Sequence, residues 1–271
     1  MSFKIRGFGA LPQEADAPAP EKEMPQPAEP RKSVVQVHFP GRGMDLAYYN
    51  DRFDLHPGDR VYVDGKLEGQ LGQVMSVTYN FKIKLSQYQR VIARVDTEVH
   101  GSFFMAGSCF LTFDPQALPA RQAAGWFRAP EKSDEEYASG TDDSGFRLED
   151  MKDWKVPQAV ADRGYEYYLE DRVRYLCLDD TKGYAIVQGT QNYIVEFTYR
   201  DGEIRNLTCD CFCSYPCKHE VAVMFQLQDI LKIIDESCRE AFEKTGYFAA
   251  VAKDTLFAFT MDGKKGGNIQ L

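Results

Sequence analysis

Several signatures that would announce a function are missing from this chain. It has no run of about 18 apolar residues, so no transmembrane helix is expected. Its start, MSFKIRGFGALPQEADAPAP, lacks the apolar core of a signal peptide, and a cytoplasmic location follows as the default. There is no GxxxxGK(S/T) phosphate loop, no GxSxG nucleophile elbow and no HExxH helix. The expectation is a non-enzymatic protein without a small-molecule substrate. Positive charge is also scarce, with 32 Lys and Arg against 41 Asp and Glu, a net of −9. That balance argues against coating nucleic acid by charge alone.

What is present is enough to fold. At 271 residues and 44% hydrophobic composition, the chain can bury real cores in one or two domains. Residues 10–33 are rich in Pro, Ala and Glu without hydrophobic periodicity, so residues 1–33 are read as a disordered tail. Residues 34–128 hold short, β-branched and aromatic runs (VVQVHF, LAYY, DRVYV, GQVMSV, FKIKL, YQRVIARV, SFFMAGSCFLTF) punctuated by Gly and Pro. Such spacing suggests a small N-terminal β-barrel. Residues 129–153 are acidic and poor in large apolar groups, which predicts a linker. Residues 154–271 form the second unit. Pro157 is expected at the first position of a short helix, followed by strands RVRYLCL, YAIVQGT, NYIVEFTY and EIRNLTCDC, with Asp201-Gly202 as a hairpin turn. Val221, Met224, Leu227, Leu231 and Ile234 then recur at helical spacing. The last segment, YFAAVAKDTLFAFTMDGKKGGNIQL, is expected to add a helix and a strand. The predicted class is therefore α+β: a small barrel plus an antiparallel sheet-and-helix unit.

Chemistry concentrates in one place. Four of the seven cysteines fall within CDCFCSYPCKHE at 209–220. Clustering of this kind reads as metal binding in a reducing compartment rather than as a disulfide framework. Zinc takes four tetrahedral thiolate and imidazole ligands, commonly supplied as two short pairs. Cys209 and Cys211 are two apart on a strand and would share a face. Cys217 and His219 begin the next helix. The alternative pair is Cys211 with Cys213, which leaves only three residues in which to turn the chain. In the first arrangement Cys213 is a nearby thiol with a role in exchange or redox sensing, or simply an unused cysteine. Four protein ligands leave no place for water, so the zinc is expected to be structural. His38, His56 and His100 are isolated and read as ordinary polar residues, and Trp126 and Trp154 as packing anchors.

The pattern Cys209-x-Cys211, a spacer of five, then Cys217-Lys218-His219 resembles the SWIM zinc finger of bacterial proteins. Arg163-Gly164-x-x-Tyr167-Tyr168, RVRYL, QGTQNYIVEFTY and CKHEVAVMFQL extend the resemblance over about residues 157–235. The spacer is slightly short, and Asp171 stands where a glycine is common. The resemblance implies zinc binding and a role in DNA or protein binding. Many relatives carry a helicase motor after this module; the absence of motor motifs here suggests an accessory subunit of a separately encoded helicase as one reading. The barrel segment, through Gly58-Asp59-x-Val61 and Gly72-x-Val74, resembles the N-terminal DNA-binding barrel of the primosomal helicase.

One stretch of the barrel could meet phosphates. In NFKIKLSQYQRVIAR, Lys82 and Lys84 would share a sheet face, Arg90 and Arg94 follow without an intervening acid, and Tyr88 with Tyr79 and Phe81 offers stacking platforms. DNA rather than RNA is the expected nucleic acid. The second unit is acidic, and there a protein partner is as natural as DNA. The sequence thus leads to a zinc-stabilised nucleic-acid-binding or adaptor protein, with a pure protein-interaction module as the rival.

Overall fold

The computed structural model describes residues 30–131, 138, 140, 144–213 and 216–261. Most of the expected tail and part of the acidic linker lie outside the described residues. The architecture is α+β, with two antiparallel sheets and flanking helices.

The first sheet contains β1 (Ser33–Phe39), β2 (Met44–Asn50), β3 (Arg60–Val63), β4 (Gly72–Thr78) and β5 (Val91–Arg94), in the order β2-β1-β4-β3-β5. Strict alternation on β1 turns Val35, Val37 and Phe39 into a core with Tyr48, Leu55, Val61, Val63, Val74 and Val91. The expected barrel is corrected here, because the sheet stays open. Its two edges touch at a single isolated bridge between Tyr49 and Arg90, where the Tyr49 N–H donates to the Gln89 carbonyl at 2.9 Å. The run FKIKL explains the gap. It forms irregular chain followed by a 3₁₀ turn at Leu85–Gln87, leaving β5 only four residues long. Its alternating pattern matches a strand, but no neighbouring strand takes up its backbone hydrogen bonds.

The second sheet has eight strands: β6 (Phe104–Ala106), β7 (Cys109–Thr112), β8 (Gly145–Arg147), β9 (Val173–Asp179), β10 (Lys182–Gln188), β11 (Asn192–Arg200), β12 (Glu203–Cys209) and β13 (Tyr247–Ala252). Their order is β6-β7-β13-β9-β10-β11-β12-β8. This differs from the expected division of the chain in two respects. The hairpin β6–β7, assigned from sequence to the barrel, pairs through β7 with β13. The segment expected to link the two units contributes β8, which pairs with β12. Both outcomes are set by long-range pairing that a local pattern does not encode.

Both faces of this sheet are covered, so its central strands read as nearly continuous apolar runs. On β9, Leu176 and Leu178 face one core while Tyr175 and Cys177 face the other. The first core lies under α2 (Gln158–Leu169) and α3 (Lys218–Ile233), the latter running through a π-turn at Ile234–Cys238 into α4 (Arg239–Thr245). The second core lies under α1 (Ala120–Phe127) and α5 (Lys253–Thr260), and Tyr62 and Val95 from the first-sheet region complete it. Trp126 anchors that core, stacked on Phe259 at 4.7 Å and donating its indole N–H to the Asp96 carbonyl. Trp154 stacks on Phe146 of β8 at 4.6 Å. Pro157 is the N-cap of α2 rather than its first helical residue. Among the described residues no helix is long and apolar enough to cross a membrane.

Candidate metal centre

The hairpin β11–β12 delivers the first ligand pair. Its turn is Asp201-Gly202, with φ of 51° and 82°, the positive region that a two-residue hairpin turn requires. Strand β12 ends at Cys209, and the chain bends through Asp210 to Cys211. Asp210 holds this bend. Its carboxylate accepts the Ile194 N–H at 2.8 Å and pairs with Arg128 at 2.6 Å, tying the ligand pair to β11 and to the end of α1.

Helix α3 delivers the second pair. Cys217 is its N-cap, and the buried Glu220, three residues on, reaches back to accept the Cys217 N–H at 2.7 Å. His219 lies in the first turn. Its ring is stacked on Tyr193 at 4.2 Å with 20° between planes, and Tyr167 leans on it at 5.6 Å. Lys218 Nζ and the Arg172 guanidinium lie over the Tyr167 ring at 4.3 and 4.8 Å.

These elements bring the ligand atoms of Cys209, Cys211, Cys217 and His219 within 4.8 Å of one another. His219 Nδ1 is 3.7 Å from the sulfurs of both Cys209 and Cys217. A tetrahedral zinc ion with ordinary Zn–S and Zn–N bonds separates its N and S ligands by about 3.6 Å. The donors and their spacing therefore fit a Cys3His metal site, zinc being the plausible ion. Cys217 and His219 are buried, Cys209 and Cys211 half-buried, and Cys213 is exposed and outside the group. The hydrogen bond from Cys209, helped by His219, pulls the Cys217 thiol below the usual thiol range, while the same contact with Cys217 and burial push Cys209 above it. Burial pushes Cys211 up to about 12, and burial, reinforced by Cys217, pushes Glu220 up to about 8. A metal ion that binds here displaces protons from the thiols.

Sequence reasoning missed Asp210, Glu220, Tyr167 and Tyr193 as parts of this site. Glu220 had a signal, since Cys217-x-x-Glu220 has the spacing of a capping box with cysteine in place of serine or threonine. The tyrosines come from β11 and α2; both lie in runs that carry the resemblance, but no local spacing ties them to the ligands.

The expected nucleic-acid residues are spread differently. Lys82 and Lys84 are exposed on irregular chain, not on a shared sheet face. Arg90 is ion-paired to Asp51 and lies over the Tyr49 ring, and Phe81 meets that ring edge-on. Arg94 ends β5 and donates to the Asp54 carbonyl at 3.3 Å. Tyr88 is half-buried after the 3₁₀ turn. His38 is hydrogen-bonded to Asp45 at 2.6 Å, and His56 and His100 are exposed.

No protein-family model matches the chain, and neither a curated protein nor a solved structure does.

Proposed function

We propose that the chain is a non-catalytic, zinc-stabilised adaptor of the SWIM type, in which the metal fixes the corner between β12 and α3 and the surrounding surface receives a protein partner. The observation that carries this reading is the convergence of four protein donors on one point, with two of them buried. A zinc held by three sulfurs and a nitrogen keeps no coordination position for a substrate or a reactive water. The motif CxC, spacer, CxH and its flanks support the SWIM assignment, and the acidic charge around it favours a protein over a phosphate backbone. X-ray absorption at the zinc edge tests the reading. The expected spectrum has three sulfur neighbours and one nitrogen, whereas an oxygen in the coordination shell would overturn a purely structural role.

The second reading is nucleic-acid binding, favoured by the exposed Lys82 and Lys84 beside Tyr79 and Phe81. Arg90 is committed to Asp51, which leaves fewer charges for phosphate. Salt titration of DNA binding decides it: the affinity of the native chain should fall steeply with salt and that of a Lys82→Gln, Lys84→Gln variant less steeply. No binding at low salt removes the reading.

A further inference from the structure

Away from the metal centre, the end of α2, the second half of α3 and the β6–β7 turn line an open cleft of about 270 Å³. Asp171, in the turn after α2, and Asp229, on α3, line it. One oxygen of Asp171 accepts the Ser108 hydroxyl at 2.5 Å, and one oxygen of Asp229 accepts the Tyr168 hydroxyl. Each carboxylate has a second oxygen, and among the described residues neither has a cationic partner. Arg172, next in sequence to Asp171, is bonded to Glu170 at 2.5 Å, and Lys253 Nζ lies over the Phe110 ring at 5.9 Å.

An independent observation comes from Gln226. It is only 6% exposed, it lines the same cleft, and its carboxamide makes no hydrogen bond among the described residues. Its amide atoms are not fully enclosed, and the residue lines the cleft. With the rest of the residue enclosed and no protein partner, the amide can be satisfied only from the cleft, by water or by a ligand. Two carboxylates and an amide oxygen give the cleft an excess of acceptors, since its Ser108 and Tyr168 hydroxyls already donate to the carboxylates and Gln226 adds an NH2 donor of its own. The cleft is below the roughly 300–1,000 Å³ typical of drug-sized ligands. It is also far roomier than a bare ion requires, and Asp171 and Asp229 do not belong to the one cluster of potential metal ligands among the described residues. Leu169 and Ile233 provide an apolar wall along which an alkyl stem can lie.

We propose that this cleft binds an alkyl-guanidinium or alkyl-ammonium group, with its donors shared between Asp171, Asp229 and Gln226. The planar guanidinium fits best, because its fork of donors can engage separated acceptors at once. Two sources carry this chemistry: an arginine or lysine side chain of a partner protein, and a free organic cation. The proposal does not depend on the metal centre or on the adaptor reading.

The test uses the full zinc-loaded chain with the side-chain amide of Gln226 followed by NMR. Ethylguanidinium and the peptide acetyl-Ala-Arg-Ala-amide are titrated separately, with the citrulline peptide as the neutral control. Either cation should shift the Gln226 amide, and the citrulline peptide should not. A response to the peptide alone assigns the site to a partner side chain, and a response to ethylguanidinium at equal affinity assigns it to a free cation as well. Asp229→Asn and Asp171→Asn should each weaken binding about tenfold, the scale of one charge-assisted hydrogen bond. Asp229 is exposed, so its variant keeps the fold even if the Asp171 variant does not. The proposal fails if neither cation perturbs Gln226, if citrulline binds as well as arginine, or if Asp229→Asn leaves affinity unchanged.

Discussion

His219 is held on several sides by protein. Tyr193 stacks on its face, Tyr167 leans on the ring, and two sulfurs stand 3.7 Å from Nδ1. Its other nitrogen, Nε2, is buried without a hydrogen-bond partner among the described residues, a cost of about 1–3 kcal/mol for an unsatisfied donor. A ring packed this tightly, with one nitrogen stranded, gains most from a strong bond at the other. The same geometry separates Cys209 from Cys213. Cys209→Ser removes a sulfur beside Nδ1, so zinc should pass to a competing chelator far more readily than in the native chain. Cys213→Ser should retain one zinc per chain in the same competition. The reverse result would assign the ligand to Cys213. The remaining thiols divide by burial. Burial pushes Cys109 and Cys177 up to about 11, so each stays protonated from neutral pH to well above 9 in the folded state. Iodoacetamide at pH 8 should label Cys213 in the native protein and reach Cys109 and Cys177 only after unfolding, as read by peptide mass spectrometry.

At the scale of elements, the metal corner depends on how closely α2 approaches α3. Gly164 makes that approach: a Cβ there would lie 2.4 Å from Val221 and 3.0 Å from the Lys218 carbonyl. Both contacts fall in the turn that carries His219. Gly164→Ala must push the helices apart, and overpacking of this kind costs about 1–3 kcal/mol despite the better helix propensity of alanine. Urea unfolding should show that loss, and zinc release should accelerate with it. An unchanged midpoint would mean that the helices separate freely. The helix pair, the hairpin with its Asp201-Gly202 turn and the two ligand pairs were legible in the sequence because each depends on local spacing. Asp171 was legible in a different way. Its φ of 53° lies in the region glycine adopts without strain, which agrees with the expectation of a glycine at that place. The partners of β6–β7 and the strand role of Gly145–Arg147 were not legible, since each depends on which distant edge is free. The expected strand at FKIKL failed for the same reason. Its pattern was right for a sheet, but no edge received it.

At the scale of the whole molecule, the ligands all lie beside the second sheet, at the end of β12, in the bend after it and at the start of α3. The core of the first sheet, built on Val35, Val37, Phe39, Val61 and Val74, contains none of them. The sheets are joined elsewhere, by Tyr62 in the core under α1 and α5, and by Arg60, which donates to the Ala258 carbonyl at 2.7 Å and lies over the Phe259 ring. Structural zinc supplies about 10–16 kcal/mol in small fingers, against about 5–15 kcal/mol for the net stability of a domain. Here a large apolar core backs the site, so removing zinc should open the metal corner without unfolding the chain. The order of loss follows from the contacts. The bend at Asp210 and the first turn of α3 lose their common anchor, then β12 frays from β11, while β9, β10 and β13 stay buried between two cores. Hydrogen exchange after chelation should therefore show lost protection across residues 203–223 and native protection in β1, β4 and β13. Restoring zinc should restore the pattern. Uniform loss of protection across both sheets would mean that the metal holds the whole fold, and unchanged protection at 203–223 would mean that it holds none of it.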